Sequence, residues 1–280
     1  MRRILLLFLS VLFLKVFAQN YRTVSEIPYY DDISLRNSDV YIKERCVLDI
    51  YYPKDKRKYY TVIWLHGGGL TYGQKEIPDS LKNKGIAVVA VNYRLSPRAV
   101  APAYLNDVAA ASAWVFKNIA KYGGDPTKII IAGHSAGGYL ATMIGLDPAY
   151  LKLYDIDPNS FAEIASFSGQ IFTHYTIKQE KNIPTERLLV DEFSPIFWVK
   201  KNTPKLLFTT GGRIMDLEGR YAENVMMLSA LKQAKNEKMK YFELEGFDHS
   251  NMPEPSYILL LEDIKKLEMS TANKSIDERK

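Results

Sequence analysis

The sequence predicts an α/β fold in which a mostly parallel central sheet is covered by helices on both faces. Apolar, β-branched runs of strand length recur along the chain, helical stretches separate them, and glycine or proline closes many of them. Runs that are apolar at every position fit strands buried on both faces, which is the situation in parallel sheets. Alternation of strand and helix then supplies the crossover connections such a sheet needs. A chain of 280 residues fits one such domain with room for only a small insertion.

In chain order, residues 47–52 read as a strand followed by a charged turn. Residues 61–65 form a second strand, 77–84 a short helix, and 86–92 a buried strand after the turn at Gly85. The alanine-rich stretch 102–122 has helical periodicity and stops at Gly123-Gly124-Asp125-Pro126. A strand at 128–132 leads into a helix at 136–146, and 163–167 is a short strand closed by Ser168-Gly169. Residues 205–210 form a strand, 220–234 a helix, 240–244 the last strand and 257–267 the closing helix. Residues 171–199 break the alternation: they mix aromatic and charged residues and contain Pro184 and Pro195, which suits a small lid-like insertion.

The N-terminus has a basic start at Arg2-Arg3, an apolar core over 4–14, and small residues at the end of Val16-Phe17-Ala18. These are the three parts of a secretory signal peptide, and the core is too short to span a bilayer, which takes about 20 residues. The expected organisation is a signal peptide at 1–18, a single domain at 19–268 and a polar C-terminal tail at 269–280. The expected location is secreted or periplasmic, with no stable membrane insertion once the signal is cleaved. Losing Arg2, Arg3 and Lys15 lowers the formal charge from +5 to +2, which argues against nucleic acid or an anionic membrane as partner. The single Cys46 cannot form an internal disulfide, and no Cys/His cluster has zinc spacing. Nothing in the sequence marks an oligomeric state.

Three motifs carry chemistry. Gly133-His134-Ser135-Ala136-Gly137 lies between a buried strand and a helix, the context of a nucleophile elbow. The turn is so tight that the residues flanking the serine must be small. Upstream, the strand at 61–65 ends in His66-Gly67-Gly68-Gly69, where glycines leave backbone N–H groups open to a developing oxyanion. Downstream, Gly246-Phe247-Asp248-His249 follows the last strand, so a histidine stands where a general base reaches the serine. The order of glycine loop, serine, acid and histidine reads as a serine hydrolase.

With Asn92-Tyr93-Arg94-Leu95-Ser96-Pro97 and Gly138 added, these motifs make the chain resemble an α/β-hydrolase of the hormone-sensitive-lipase-like and feruloyl/acetyl-xylan-esterase-like branch over roughly residues 46–267. The resemblance implies an α/β-hydrolase fold and a carboxylic-ester hydrolase with Ser135 as nucleophile and His249 as base. The N–H groups of Gly68, Gly69 and Ala136 would bind the oxyanion, and no metal or organic cofactor is implied. Together with the signal peptide, it points to a small-molecule or oligosaccharide ester, such as a short acyl or hydroxycinnamoyl ester of a carbohydrate. A small-lipid or xenobiotic ester is the alternative substrate.

The third triad member departs from the family pattern. Relatives often carry an aspartate within a few residues of the strand end, where this chain has Arg213 and Ile214. Asp216 is the closest carboxylate and the expected acid, with Glu218 and Asp248 as alternatives. A catalytically impaired binding protein follows if no acid serves. His66 is expected to support the glycine loop, His134 to pack beside Ser135, and Arg94 to pair with Asp107. Tyr72, Phe172 and Trp198 are candidates to line a pocket, and His174 either faces it or is structural.

Overall fold

Within the run Thr61-Val62-Ile63-Trp64-Leu65, alternate residues have no polar partner on either side, so both faces of the strand must be covered. In the computed structural model, which describes residues 20–31 and 39–277 with side chains as far as residue 270, they are. Ile63 and Leu65 face one apolar core with Leu48, Val89, Ile131, Leu140 and Phe208. Val62 and Trp64 face a second core with Val88, Ile130, Phe167, Leu207, Tyr257 and Leu260.

Among the described residues the strands are β1 (Tyr21–Pro28), β2 (Val47–Pro53), β3 (Tyr59–Leu65), β4 (Ala87–Val91), β5 (Gly124–His134), β6 (Glu163–Phe167), β7 (Lys205–Gly211) and β8 (Met239–Leu244). They form one sheet in the order β1-β2-β4-β3-β5-β6-β7-β8. β2 runs antiparallel to β1 and β4, and the remaining pairs are parallel. The helices are α1 (Val40–Arg45), α2 (Ala103–Tyr122), α3 (Ala136–Leu146), α4 (Pro148–Lys152), α5 (Tyr175–Glu180), α6 (Arg220–Gln233) and α7 (Pro253–Asp277). None of them is long and apolar enough to cross a membrane.

The register aligns the carboxyl ends of the parallel strands. Leu65 of β3 pairs with Gly133 of β5, His134 with Phe167 of β6, Phe167 with Thr209 of β7, and Gly211 with Leu244 of β8. The loops after β3, β5, β6, β7 and β8 therefore open along one edge of the sheet, where sites in such folds gather. Arg94 and Asp107 make the expected pair: Nε and Nη2 reach the carboxylate at 2.8 and 2.7 Å, and Tyr30 donates to it at 2.8 Å.

Several boundaries differ from the sequence reading. The helix expected at 77–84 is a single 3-10 turn, Asp79–Leu81, because Pro78 begins it and extended backbone follows at Lys82. The closing helix begins at Pro253 and continues to Asp277, so most of the expected tail at 269–280 is helical. After Pro255, in the first turn, no proline or glycine interrupts the helix as far as Asp277. β1 and α1 are additional: β1 is a largely exposed edge strand with an irregular register between Val24 and Ile27, and its mixed polarity hides it from a search for apolar runs. The insertion at 171–199 holds α5 and a 3-10 turn at Pro195–Trp198, tied down where Tyr139 donates to the Phe193 carbonyl at 2.8 Å. The signal-peptide assignment at 1–18 lies outside the described residues.

Candidate active site

Ser135 occupies the turn between β5 and α3 with φ 55° and ψ −118°, a conformation that L-residues other than glycine rarely adopt. Its N–H donates to the Phe167 carbonyl at 2.8 Å, which ties the turn to the neighbouring strand. The flanking glycines are required by contact. A Cβ on Gly133 would lie 2.4 Å from the Gly137 carbonyl carbon, and one on Gly137 would lie 2.1 Å from the Leu65 oxygen. The small residues of the motif thus let α3 start against the end of β3.

The acid and the histidine meet at the ends of β7 and β8. After β7 the chain makes one tight turn, with the N–H groups of Met215 and Asp216 both donating to the Gly212 carbonyl at 2.8 Å. Arg213 turns outward onto Glu243, with its Nη2 at 2.7 Å. The turn carries Asp216 back onto the strand end, where Oδ2 accepts from the Gly211 N–H at 2.8 Å and Oδ1 from the Leu217 N–H at 2.7 Å. His249 Nδ1 lies 2.7 Å from Asp216 Oδ1. Burial favours the protonated carboxyl, but the His249 and Ser168 hydrogen bonds and the two amides outweigh it and hold Asp216 down at about 2. Asp216 is therefore an anion across the working pH range. Glu218 is exposed, and Asp248 caps its own loop, accepting from Ser250 and Asn251 at 2.8 and 3.0 Å. Of the three carboxylates expected as candidates, the structure brings Asp216 to the histidine.

His134 lies between the elbow and this pair. Its ring centroid is 4.6 Å from that of His249, so the imidazole of His249 stands beside the residue preceding the serine. Burial and the neighbouring His249 push His134 down to about 3, which keeps it neutral. Among the described residues Ser135 makes no hydrogen bond to His249. In unliganded hydrolase sites that bond is commonly loose and tightens with substrate.

The glycine loop is fixed through its carbonyls. A trans peptide holds C=O and the next N–H antiparallel, so fixing one aims the other. His66 Nδ1 lies 2.7 Å from the Gly67 oxygen, which orients the Gly68 N–H. Thr71 and Tyr72 donate to the Gly68 oxygen at 3.0 Å each, which orients the Gly69 N–H. His66 Nδ1 must carry the proton, leaving Nε2 to accept from Arg45 Nη2 at 3.4 Å. Its ring stacks on Tyr93 at 4.3 Å, and burial lowers it to about 4. His66 thus supports the loop, as expected. Gly67 packs directly on the elbow, since a Cβ there would be 3.4 Å from the Ser135 Cβ. Ala136 is the first residue of α3, and its N–H is one of the donors a helix start leaves open.

The insertion reaches this loop too. Thr176 Oγ1 donates to the Gly69 oxygen at 2.5 Å, and the Tyr175 hydroxyl lies so close that a Cβ on Gly69 would be 1.9 Å from it. His174 is structural: it caps α5, accepting from the Thr176 N–H at 3.2 Å, and its ring is fully buried beside Tyr139. Phe172 is buried, Trp198 is half-buried and donates to the Glu192 carbonyl at 2.9 Å, and Tyr72 is 70% exposed. The residues that sequence reasoning missed are Ser168, Tyr175, Thr176 and Arg220. Only the Ser168-Gly169 pair at a strand end gave a signal, and it read as a mere stop.

A family model described as BD-FAE matches residues 48–213, which includes the glycine loop and the elbow and stops short of Asp216 and His249. Esterase LipC of Mycobacterium tuberculosis strain H37Rv is 27% identical over 231 residues, covering 72% of this chain and 56% of LipC. Esterase LipQ of the same strain is 28% identical over 73% of this chain and 54% of its own length. The chain thus spans little more than half the length of these curated relatives. Among solved structures, a truncated form of a carbohydrate esterase from gut microbiota superposes with a TM-score of 0.71 at 22% identity, covering 89% of this chain and 96% of that one. Esterase B from Lactobacillus rhamnosis gives 0.68 at 18% identity, over 91% and 90%. The fold is that of the α/β-hydrolase esterases.

Proposed function

This chain belongs to the BD-FAE family, and from that premise we propose that it is an exported serine carboxylic-ester hydrolase acting through an acyl-enzyme on short acyl or hydroxycinnamoyl esters of carbohydrates. The observation that carries the activity is the 2.7 Å contact of His249 Nδ1 with an ionised Asp216, beside a serine held at φ 55° on the strand-to-helix turn. The superposing carbohydrate esterase supports the choice of substrate class. Export rests on the pattern of residues 1–18.

In the proposed reaction His249 Nε2 accepts the Ser135 hydroxyl proton as Oγ attacks the ester carbonyl. The oxyanion is met by the N–H groups of Gly68, Gly69 and Ala136, each typically worth ~3 kcal/mol in such a transition state. The carbonyl re-forms as the ester C–O bond breaks, and His249 returns the proton to the departing alcohol. Water then gives a proton to His249 and attacks the acyl-enzyme, and collapse releases the acid and restores Ser135. Asp216 remains an anion throughout and holds the Nδ1–H tautomer.

The test is hydrolysis of p-nitrophenyl acetate, butyrate and palmitate beside methyl ferulate and acetylated xylan, with Ser135→Ala as control. The proposal expects short-chain and carbohydrate-linked esters to be cleaved, fluorophosphonate labelling at Ser135, and loss of both in the variant. Wild-type rates in Ser135→Ala overturn the mechanism, and a preference for palmitate overturns the substrate class. N-terminal sequencing of protein recovered outside the producing cytoplasm tests export; an intact residue 1 on cytoplasmic protein overturns it.

A further inference from the structure

The Ser168 hydroxyl has no part in the reaction above, yet it lies inside the acid–base pair. Its Oγ is 2.9 Å from Asp216 Oδ1, 2.8 Å from Oδ2 and 3.1 Å from His249 Nδ1. The geometry points to Ser168 as a positioning residue that donates its hydroxyl to the Asp216 carboxylate and thereby locks His249 in the tautomer with the proton on Nδ1. This inference rests on the proposed function and deepens it.

Ser168 is well placed to do this because its own backbone is held on both sides. It follows directly on β6, its N–H donates to the Thr209 carbonyl at 2.7 Å, and its carbonyl accepts from Arg220 Nη1 at 2.8 Å. It is fully buried and adopts φ 50°, a conformation strained for any L-residue, so its position is imposed by the surrounding structure.

Proton counting decides the direction of the bonds. The hydroxyl has one proton, and the carboxylate oxygens can only accept. If the Ser168 proton went to His249 Nδ1, Asp216 would lose two donors at once and the imidazole proton would move to Nε2. That tautomer cannot take a proton from Ser135. With the hydroxyl on Asp216, the only proton that fits the 2.7 Å contact is on Nδ1, which leaves Nε2 free as the base. The charged and titratable groups facing the pair are the buried Arg220 of α6, neutral His134 on the elbow and Tyr241 of β8, while the neighbouring Asp248 is turned to its own loop amides.

Removing the hydroxyl leaves a less neutralised carboxylate, which holds the imidazolium more firmly. The test compares wild type, Ser168→Ala and Ser168→Gly. Glycine takes φ 50° without strain, so it separates the hydroxyl from the backbone. Both variants are expected to lose about tenfold in kcat with KM within about twofold, because a bond to a charged group is lost in the reacting pair. The acid limb of kcat/KM is expected to move up by about 0.5 pH unit. In both, the downfield proton resonance of His249 Nδ1–H should move further downfield than in wild type, because the less neutralised carboxylate takes a larger share of that proton. Unchanged kcat, acid limb and resonance in Ser168→Gly overturn the inference, as does a rate loss that tracks the melting temperature while limb and resonance stay put. If wild type neither cleaves esters nor labels at Ser135, the proposed function fails, and the resonance alone still decides the role of Ser168.

Discussion

Thr176 donates its hydroxyl to the Gly69 carbonyl across 2.5 Å, which makes the inserted helix α5 a brace for the glycine loop. The insertion was expected only to cover the site; the structure ties it to the loop proposed to bind the oxyanion.

Thr176→Val keeps the shape of the side chain and removes the donor. A misaimed N–H weakens only the transition state, so kcat should fall roughly tenfold while KM stays nearly constant. Steady-state kinetics on p-nitrophenyl acetate decide it; a raised KM with unchanged kcat would assign Thr176 to substrate binding instead.

Asp216→Asn should lower kcat at least ~10²-fold, because an amide at 2.7 Å from Nδ1 favours the unreactive tautomer. Glu218→Gln and Asp248→Asn should change it less than about tenfold, since the first is exposed and the second serves its own loop. A crippled Glu218→Gln beside a normal Asp216→Asn would show that the loop rearranges with substrate.

Gly137→Ala should prevent the elbow from forming, since the added Cβ would sit 2.1 Å from the Leu65 oxygen and 2.7 Å from the His66 oxygen, both backbone atoms. Soluble yield and fluorophosphonate labelling should both collapse. A folded, fully labelled variant would mean that α3 starts further from β3 than the structure has it.

Glu163 opens β6 at the end of the sheet away from the serine, 1% exposed and with neither carboxylate oxygen paired among the described residues. Burial, with Asp263 adding to it, raises its carboxyl from 4.5 to about 8 against the opposing pull of Lys240 and Lys205. Between those values the folded state holds a proton that the unfolded state has released. Stability from this group is therefore fully present below about pH 4.5 and is lost as pH rises through 8. Glu163→Gln should melt on the order of 5 °C above wild type at alkaline pH and match it near pH 5. Calorimetry that finds equal melting temperatures at both pH values would contradict the burial argument.

What could be read from the sequence was set by how completely each segment is buried. The strands at 61–65, 129–132 and 163–167 are buried on both faces and mostly apolar, and the structure has strands at all three. β1 has exposed residues throughout, so its pattern resembles a loop. Asp216 was within reach because chemistry demanded a carboxylate after β7, while the helical turn on Gly212 that delivers it has no sequence signature beyond the glycine. Ser168, Arg220 and Thr176 escaped because their roles depend on contacts 48 to 107 residues distant in sequence.

The pairing order of the sheet also dates the site within synthesis. The elbow closes at residue 135 just after β5, but the histidine waits in the loop after β8, the strand that pairs with β7 at the sheet margin. A chain that ends at β7 lacks the histidine altogether, since residue 249 lies beyond β8. On the proposed mechanism such a chain is inert toward esters, and the base arrives only with the segment that follows the final strand.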